Sequence, residues 1–190
     1  MDLNDGHLAC WVLNPDGTPV GPPHTITIDL TGHKAHRDGR LRQAVTDLLD
    51  HAHTHGCGSI AIENLNFDDA RTSGRETMGR GNKGRRFRAT VAGIPTAKFR
   101  TRLAGMAANR RVAVIAVDPA YTSKWGGQHW VKPLSKTFPD HPVSGHHAAA
   151  VVIGRRSLGH RARRRTPMPA PDQRIGCGEL GSRPGHDSRL

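Results

Sequence analysis

The sequence predicts an α/β fold, a mixed sheet flanked by helices, followed by a basic tail. Short β-branched apolar runs alternate with segments whose apolar residues recur every three or four positions, the pattern of strands alternating with helices. A chain of 190 residues can bury one hydrophobic core. Beyond that core, arginine, proline and glycine dominate. We therefore expect one domain over residues 1–158 and a disordered basic tail over residues 159–190.

The first elements are predicted to be a hairpin and a helix. His7–Leu13 is an apolar run closed by the turn sequence Asn-Pro-Asp-Gly, and Thr25–Leu30 alternates in polarity, so the two should pair as antiparallel strands. A helix is expected from about residue 38 to residue 53, because apolar side chains recur there at helical spacing. These side chains are Leu41, Val45, Leu48, Leu49 and Ala52.

The next strand is predicted to end in a carboxylate. Ser59–Ile62 is an apolar run after the turn-forming residues 56–58, and Glu63 follows directly. A charge at the mouth of a buried strand is costly unless a metal ion or a hydrogen-bond network compensates it. Taken alone, Glu63 fits either a functional site or a cap of the next turn.

The second half of the domain continues the alternation of helix and strand. A helix should begin near Ile94-Pro95, with Pro in the first turn, and bury Phe99, Leu103 and Met106. Residues 111–117 predict a fully buried strand that again ends in an acid, Asp118. A polar loop through Trp125 and Trp130 is expected next, and then a last helix over residues 146–158.

Charge composition points to a polyanionic partner. Lys and Arg number 28 against 16 Asp and Glu, a formal net charge of +12, and nucleic acid is the commonest partner of so basic a protein. No apolar run is long enough to span a membrane, and no signal-peptide pattern opens the chain. Aromatic residues make up 4%, too few for a row of base-stacking platforms, so binding should depend on charge and backbone contacts.

The candidate phosphate-binding residues lie in the Gly-rich stretch after the Glu63 strand. Cations on a connection just past a strand end are well placed to contact phosphates, although a solvated flexible loop has the same composition. The cations are Arg71, Arg75, Arg80, Lys83, Arg85, Arg86 and Arg88.

Histidine and cysteine spacing predicts no separate metal centre. Of His51, His53 and His55 only the outer two share a helical face, so we interpret them as a solvated helix end. The isolated and odd-numbered cysteines predict a reduced, cytoplasmic protein without disulfides or bound zinc. They are Cys10, Cys57 and Cys177.

A meander of strands followed by alternating helices and strands is the layout of an RNase H-like domain, whose carboxylates hold two divalent ions at strand ends and on the last helix. Three ordered motifs in this chain resemble the RuvC-type nuclease core of TnpB (OrfB) proteins. The motifs are Asp-Leu-Asn from Asp2, Ile-Glu-Asn-Leu around Glu63, and residues 117–123. TnpB proteins are transposon-encoded, RNA-guided DNA endonucleases, and the resemblance spans about residues 2–158.

The resemblance implies roles for particular residues. Asp2 matches the first catalytic acid and Glu63 the second, while His147 or its neighbour His146 stands where the third acid is expected. Asp2, Glu63 and His147 would then hold Mg²⁺ or Mn²⁺, two ions in an active enzyme, and an imidazole suits Mn²⁺ better than Mg²⁺. The implied partner is DNA.

Several features depart from the family pattern. The third acid is replaced by histidine, and the four cysteines of the family's zinc insertion are absent from residues 125–130. The N-terminal region that recognises guide RNA in full-length relatives, and most of the first strand, are expected to be missing before Asp2. Two functions therefore remain open: a metal-dependent DNA endonuclease associated with transposition, or a degenerate remnant that binds nucleic acid without cutting it.

Overall fold

The computed structural model describes residues 1–64 and 96–162, which form five strands and five helices. Within these two ranges no helix is long and apolar enough to cross a membrane. In chain order the elements are β1 (Asp2–Asn4), β2 (His7–Leu13), β3 (Pro19–Thr27), α1 (Lys34–Thr54), β4 (Ser59–Glu63), α2 (Thr96–Asn109), β5 (Ala113–Val117), α3 (Thr122–His129), α4 (Val131–Thr137) and α5 (Gly145–Ser157).

The strands pair in two groups. β1, β2 and β3 form an antiparallel meander, so the predicted hairpin is confirmed, with a register shift between Cys10 and Val12. β4 and β5 pair in parallel, with Ser59 opposite Ala113 and Glu63 opposite Val117. The two groups meet where the Met1 amino group donates a hydrogen bond of 2.8 Å to the carbonyl of Ala61 in β4. β1 therefore lies next to β4.

The hydrophobic core lies on both faces of β2. Leu8 and Cys10 point into a cluster with the apolar faces of α1 and α2, whereas Trp11 belongs to a second cluster with α4 and α5. Successive side chains of a strand point to opposite faces of the sheet. A strand with apolar side chains on both faces can therefore pack against helices on both sides. The five apolar residues predicted for α1 are all buried, as are Phe99 and Leu103 of α2.

The last helix ties the strands together. α5 packs against all five strands, and its residues from His147 to Ile153 are all buried. α3 packs on its other side at Gly126, where an added Cβ would lie 2.7 Å from the backbone nitrogen of Ala149. Such a close approach needs a residue without a side chain. The described part of the chain is thus α/β, with α1 and α2 on one face of the strands and α5 on the other.

Two predicted segments differ from the structure. The loop expected through Trp125 and Trp130 is helical, forming α3 and α4, because both tryptophans pack toward α5 and favour a regular backbone over a solvated one. The strand expected to be fully buried, β5, has only Val117 buried among its residues. β5 pairs with β4 on one side and has no second strand neighbour within the described ranges.

Smaller differences concern element bounds. β3 covers Pro19–Thr27 rather than Thr25–Leu30, and α1 begins four residues before the predicted start at residue 38. The expected tail does not separate at residue 159, since Trp130 Nε1 donates a hydrogen bond of 2.8 Å to the carbonyl of the buried Ala162. The rest of the tail lies outside the described residues.

The α3–α5 contact predicts opposite effects of two neighbouring substitutions. Gly126→Ala should lower the free energy of unfolding by about 1–3 kcal/mol, because its Cβ would overlap the α5 backbone. Gly127→Ala has nothing within 4 Å and should be neutral or slightly stabilising, as alanine favours a helix. Urea titrations of both variants measure the difference. Equal stability of the two variants would contradict this packing.

Candidate functional site

The Asp2 carboxylate and the His146 imidazole meet across 144 residues of sequence. Asp2 lies in β1 and is only 4% exposed, while His146 stands in the first turn of α5. His146 Nδ1 is 3.1 Å from Asp2 Oδ2, which also accepts a hydrogen bond of 2.9 Å from the Asn4 side chain. The hydrogen bond to Asp2 raises the pKa of His146, against the opposing effect of partial burial. The pair therefore favours a charged imidazolium.

His147, the histidine assigned to the metal in the sequence analysis, faces away from Asp2. Its Nδ1 accepts a hydrogen bond of 3.2 Å from the Ser144 backbone, and its Nε2 lies 2.8 Å from Thr25 Oγ1. Burial lowers the pKa of His147, so a neutral ring with both nitrogens engaged is favoured. Adjacent residues of a helix point in different directions, and α5 turns only His146 toward Asp2. His146 is therefore the histidine that the structure brings to the first acid.

Glu63 ends β4 and takes part in a hydrogen-bond network. The hydroxyl of the buried Thr122 donates to Glu63 Oε1, and Arg100 donates a hydrogen bond of 3.1 Å to the neighbouring Asn64 side chain. Met1, Glu63 and Arg100 line one small pocket. A hydrogen-bond network therefore offsets the cost of placing the Glu63 carboxylate at the end of this strand.

Asp2 and Glu63 share an electrostatic neighbourhood. Burial lowers the pKa of the Met1 amino group, and the negative charges of Asp2 and Glu63 act in the opposite direction, as does Cys10. The Met1 amino group directly precedes Asp2 in the chain. It donates its hydrogen bond to the carbonyl of Ala61, two residues before Glu63. The two predicted acids thus lie on neighbouring strands at one end of the sheet.

The predicted metal ligands are not gathered into one group. Within residues 1–64 and 96–162, no three His, Cys, Asp or Glu side chains lie together in a way that could hold a metal ion. Asp2 Oδ2 is taken by Asn4 and His146, and Glu63 Oε1 by Thr122. Two divalent ions need several converging oxygen ligands. Of the three predicted ligands, His147 contacts Thr25, and the imidazole beside Asp2 is that of His146.

The seven predicted phosphate-binding cations lie outside the described residues. Their positions fall between β4 and α2, so the structure gives no geometry for them. They are Arg71, Arg75, Arg80, Lys83, Arg85, Arg86 and Arg88.

No protein-family model matches the chain, and no match was found among curated proteins or solved structures. The resemblance to TnpB proteins therefore rests on the three sequence motifs alone.

Two site residues were missed by the sequence analysis, and one of them had a signal in the sequence. Ser144 caps α5 and exchanges hydrogen bonds with His147, three residues later, which is the spacing of a capping box. Thr122 lies within the third motif, but its contact with Glu63 joins residues 59 positions apart. Spacing could reveal the cap, whereas only the fold could reveal the second contact.

A second group of histidines joins β3 to the end of α1. The rings of His24 and His51 stack with centroids 4.1 Å apart, and His55 lies 4.3 Å from His51. Burial, together with the smaller effects of the neighbouring His24 and His55, lowers the pKa of His51 to about 4. The helix end interpreted as solvated therefore carries a partly buried, neutral imidazole, because His24 comes from a distant strand that covers it.

The Asp2–His146 pair predicts a shifted histidine titration. In Asp2→Asn the pKa of His146 should fall toward its ordinary value, while that of His51 should not change. Because the folded pKa is raised, the pair stabilises the native state below about pH 6.5 and this contribution disappears as the pH rises through the folded pKa. NMR titration of the imidazole signals measures both groups. An unchanged His146 pKa in Asp2→Asn would show that the pair does not form.

The lowered pKa of His51 predicts acid sensitivity. Because the pKa of His51 is lower in the folded than in the unfolded chain, the folded chain binds fewer protons at this residue. The free energy of unfolding therefore decreases as the pH falls from about 6.5 toward about 4. Since solvent reaches the ring, we expect a loss of about 1 kcal/mol. His51→Gln should flatten this part of the stability curve, and the exposed His53→Gln should not. Urea titrations across this pH range measure it, and identical curves for both variants would contradict the stacking.

Proposed function

We propose that this chain is a TnpB-like, transposon-encoded protein that binds DNA through a RuvC-type endonuclease core and is associated with transposition. One observation carries the proposal. Asp2 and His146, from the first strand and the last helix, meet at the end of the sheet where β4 terminates in Glu63. In the family that the motifs resemble, the first acid, the second acid and a residue of the last helix make up the nuclease site.

The strand arrangement supports an RNase H-like fold for this core. The strands form two sheets, β1–β2–β3 and β4–β5, and the hydrogen bond from Met1 to Ala61 sets the start of β1 beside β4. If the two sheets continue each other there, the order is β3, β2, β1, β4, β5. The first three strands are antiparallel and the last two are parallel, and α5 crosses all five. In our proposal β1 is the central strand, and its acid stands beside that of β4.

A second candidate is a protein that binds DNA without cutting it. The Asp2–His146 contact favours this candidate, because an imidazolium beside Asp2 supplies the positive charge that a metal ion supplies in an active site. The absence of a three-residue metal-ligating group within residues 1–64 and 96–162 points the same way. Mg²⁺ or Mn²⁺ would need oxygens of Asp2 and Glu63, and one oxygen of each, Asp2 Oδ2 and Glu63 Oε1, already accepts a hydrogen bond from a protein group.

DNA binding should be electrostatic and salt-dependent. We expect log affinity for a DNA duplex to fall linearly with log salt, with a slope of about 0.9 per neutralised phosphate. Replacing Arg85, Arg86 and Arg88 with Ala should reduce the slope by up to about 2.7 and weaken binding to all sequences alike. Fluorescence anisotropy at several salt concentrations measures both effects. An affinity that does not depend on salt would contradict the proposal.

Cleavage assays with Mg²⁺ or Mn²⁺ separate the two candidates. An endonuclease should cut DNA, and Glu63→Gln should abolish cutting while leaving binding intact. If the wild type only binds, His146→Asp is the informative variant, because it sets a second carboxylate beside Asp2 in place of the imidazole.

His147→Asp is the matched control for this experiment, since position 147 faces Thr25 rather than Asp2. Cleavage gained by His146→Asp alone would support a degenerate RuvC-type site. Cleavage gained equally by both variants would contradict the assignment of the third position, and no cleavage by any variant would favour the protein that only binds.

A further inference from the structure

An aromatic pair, the exposed Tyr121 and the half-buried Trp125, lies at the start of α3. Tyr121 is 60% exposed, the most exposed of the large hydrophobic residues in the described ranges. Its ring stacks on that of Trp125, with centroids 5.6 Å apart and planes inclined by 23°. Because Trp125 covers one side of the ring, the other side of Tyr121 is the one available to a ligand. A planar group could extend this stack.

Two cations accompany the aromatic pair. Lys124 Nζ lies 5.8 Å from the centre of the Tyr121 ring, and the Arg156 guanidinium lies 5.0 Å from that of Trp125. Arg156 also donates a hydrogen bond of 2.6 Å to the carbonyl of Ala120 and another to that of Asp118. Arg156 thereby fixes the loop that carries Tyr121, while Lys124 lies on the exposed surface beside it.

The backbone of Tyr121 is strained. Its φ of 63° and ψ of 11° fall in the left-handed region, which glycine adopts readily and bulky residues adopt rarely. The side chain gains little burial in return, since most of it remains in solvent. Strain that packing does not explain occurs often at ligand-binding positions, where it holds a side chain in place before the ligand arrives.

The aromatic pair borders the candidate site. Thr122, the residue after Tyr121, donates its hydroxyl hydrogen bond to Glu63. A nucleic-acid strand whose phosphates approach the Glu63 end of the sheet would therefore pass the Tyr121 ring. Aromatic rings beside cations are the features with which proteins hold unpaired bases, because every base has a stacking face.

We propose that Tyr121, supported by Trp125, stacks an unpaired base of single-stranded DNA next to the Glu63 end of the sheet. This inference rests on the proposed DNA-binding function and adds the form of the substrate. Bases in a duplex are already stacked on their neighbours, so the ring should contribute to the binding of single strands and not of duplexes.

The experiment compares an ordinary single-stranded oligonucleotide with an abasic one of the same length and charge. Wild-type protein should bind the ordinary strand at least about fivefold more tightly, the lower bound for one stacked base. Tyr121→Ala should bind the ordinary strand no more tightly than the abasic strand. Tyr121→Phe should keep the wild-type preference for the ordinary strand. Val20→Ala, which removes another exposed apolar side chain, is the control and should behave as the wild type.

A second measurement uses the only tyrosine of the chain. A strand carrying 5-bromouracil should crosslink under light to Tyr121, as identified by mass spectrometry. Two results would contradict the stacking proposal without contradicting DNA binding. One is equal wild-type affinity for ordinary and abasic strands, and the other is a Tyr121→Ala variant that loses as much affinity for duplex as for single-stranded DNA. Failure of both strands and the duplex to bind at low salt would overturn the proposed function and this inference with it.

Discussion

Asp2 is a buried carboxylate, and its need for partners constrains the rest of the site. An ionised carboxylate removed from water costs several kcal/mol unless it is paired and hydrogen-bonded. Asn4 and His146 meet this need, and His146 can do so only if the first turn of α5 lies over β1. The position of the last helix and the burial of the first acid are therefore coupled. His146 stands where the resemblance predicts a third acid, and it pairs with Asp2.

The packing of α5 makes this arrangement possible. A helix that contacts all five strands must lie flat across the sheet, and small side chains along it let neighbouring elements approach closely. Ala148 and Ala149 face Gly126 of α3, which brings α3 close to α5 and sets Thr122 at the end of β4. Fold and site are thus linked through backbone contacts, because α3 begins with Thr122, the partner of Glu63, and the exposed Tyr121 directly precedes it.

Periodic features could be predicted from the sequence, and contacts between distant residues could not. The apolar face of α1 and the β2–β3 hairpin follow from local pattern, and both are confirmed. α3 and α4 were missed because Trp125 and Trp130 stand in a polar context, and the cluster against which they pack includes residues of β2 and α5 that are distant in sequence. Which of the two adjacent histidines, His146 or His147, contacts Asp2 depends on how α5 is rotated about its axis. The sequence does not specify that rotation.

The most direct test of the proposed function is hydrogen–deuterium exchange with and without DNA. If DNA lies at the proposed site, the amides of residues 118–125 and of the first turn of α5 should exchange more slowly in the complex. Those at the end of α1, on the opposite face of the strands, should not change. Protection confined to the end of α1, or no protection in either region at saturating DNA, would contradict a RuvC-type site formed by Asp2, Glu63 and His146.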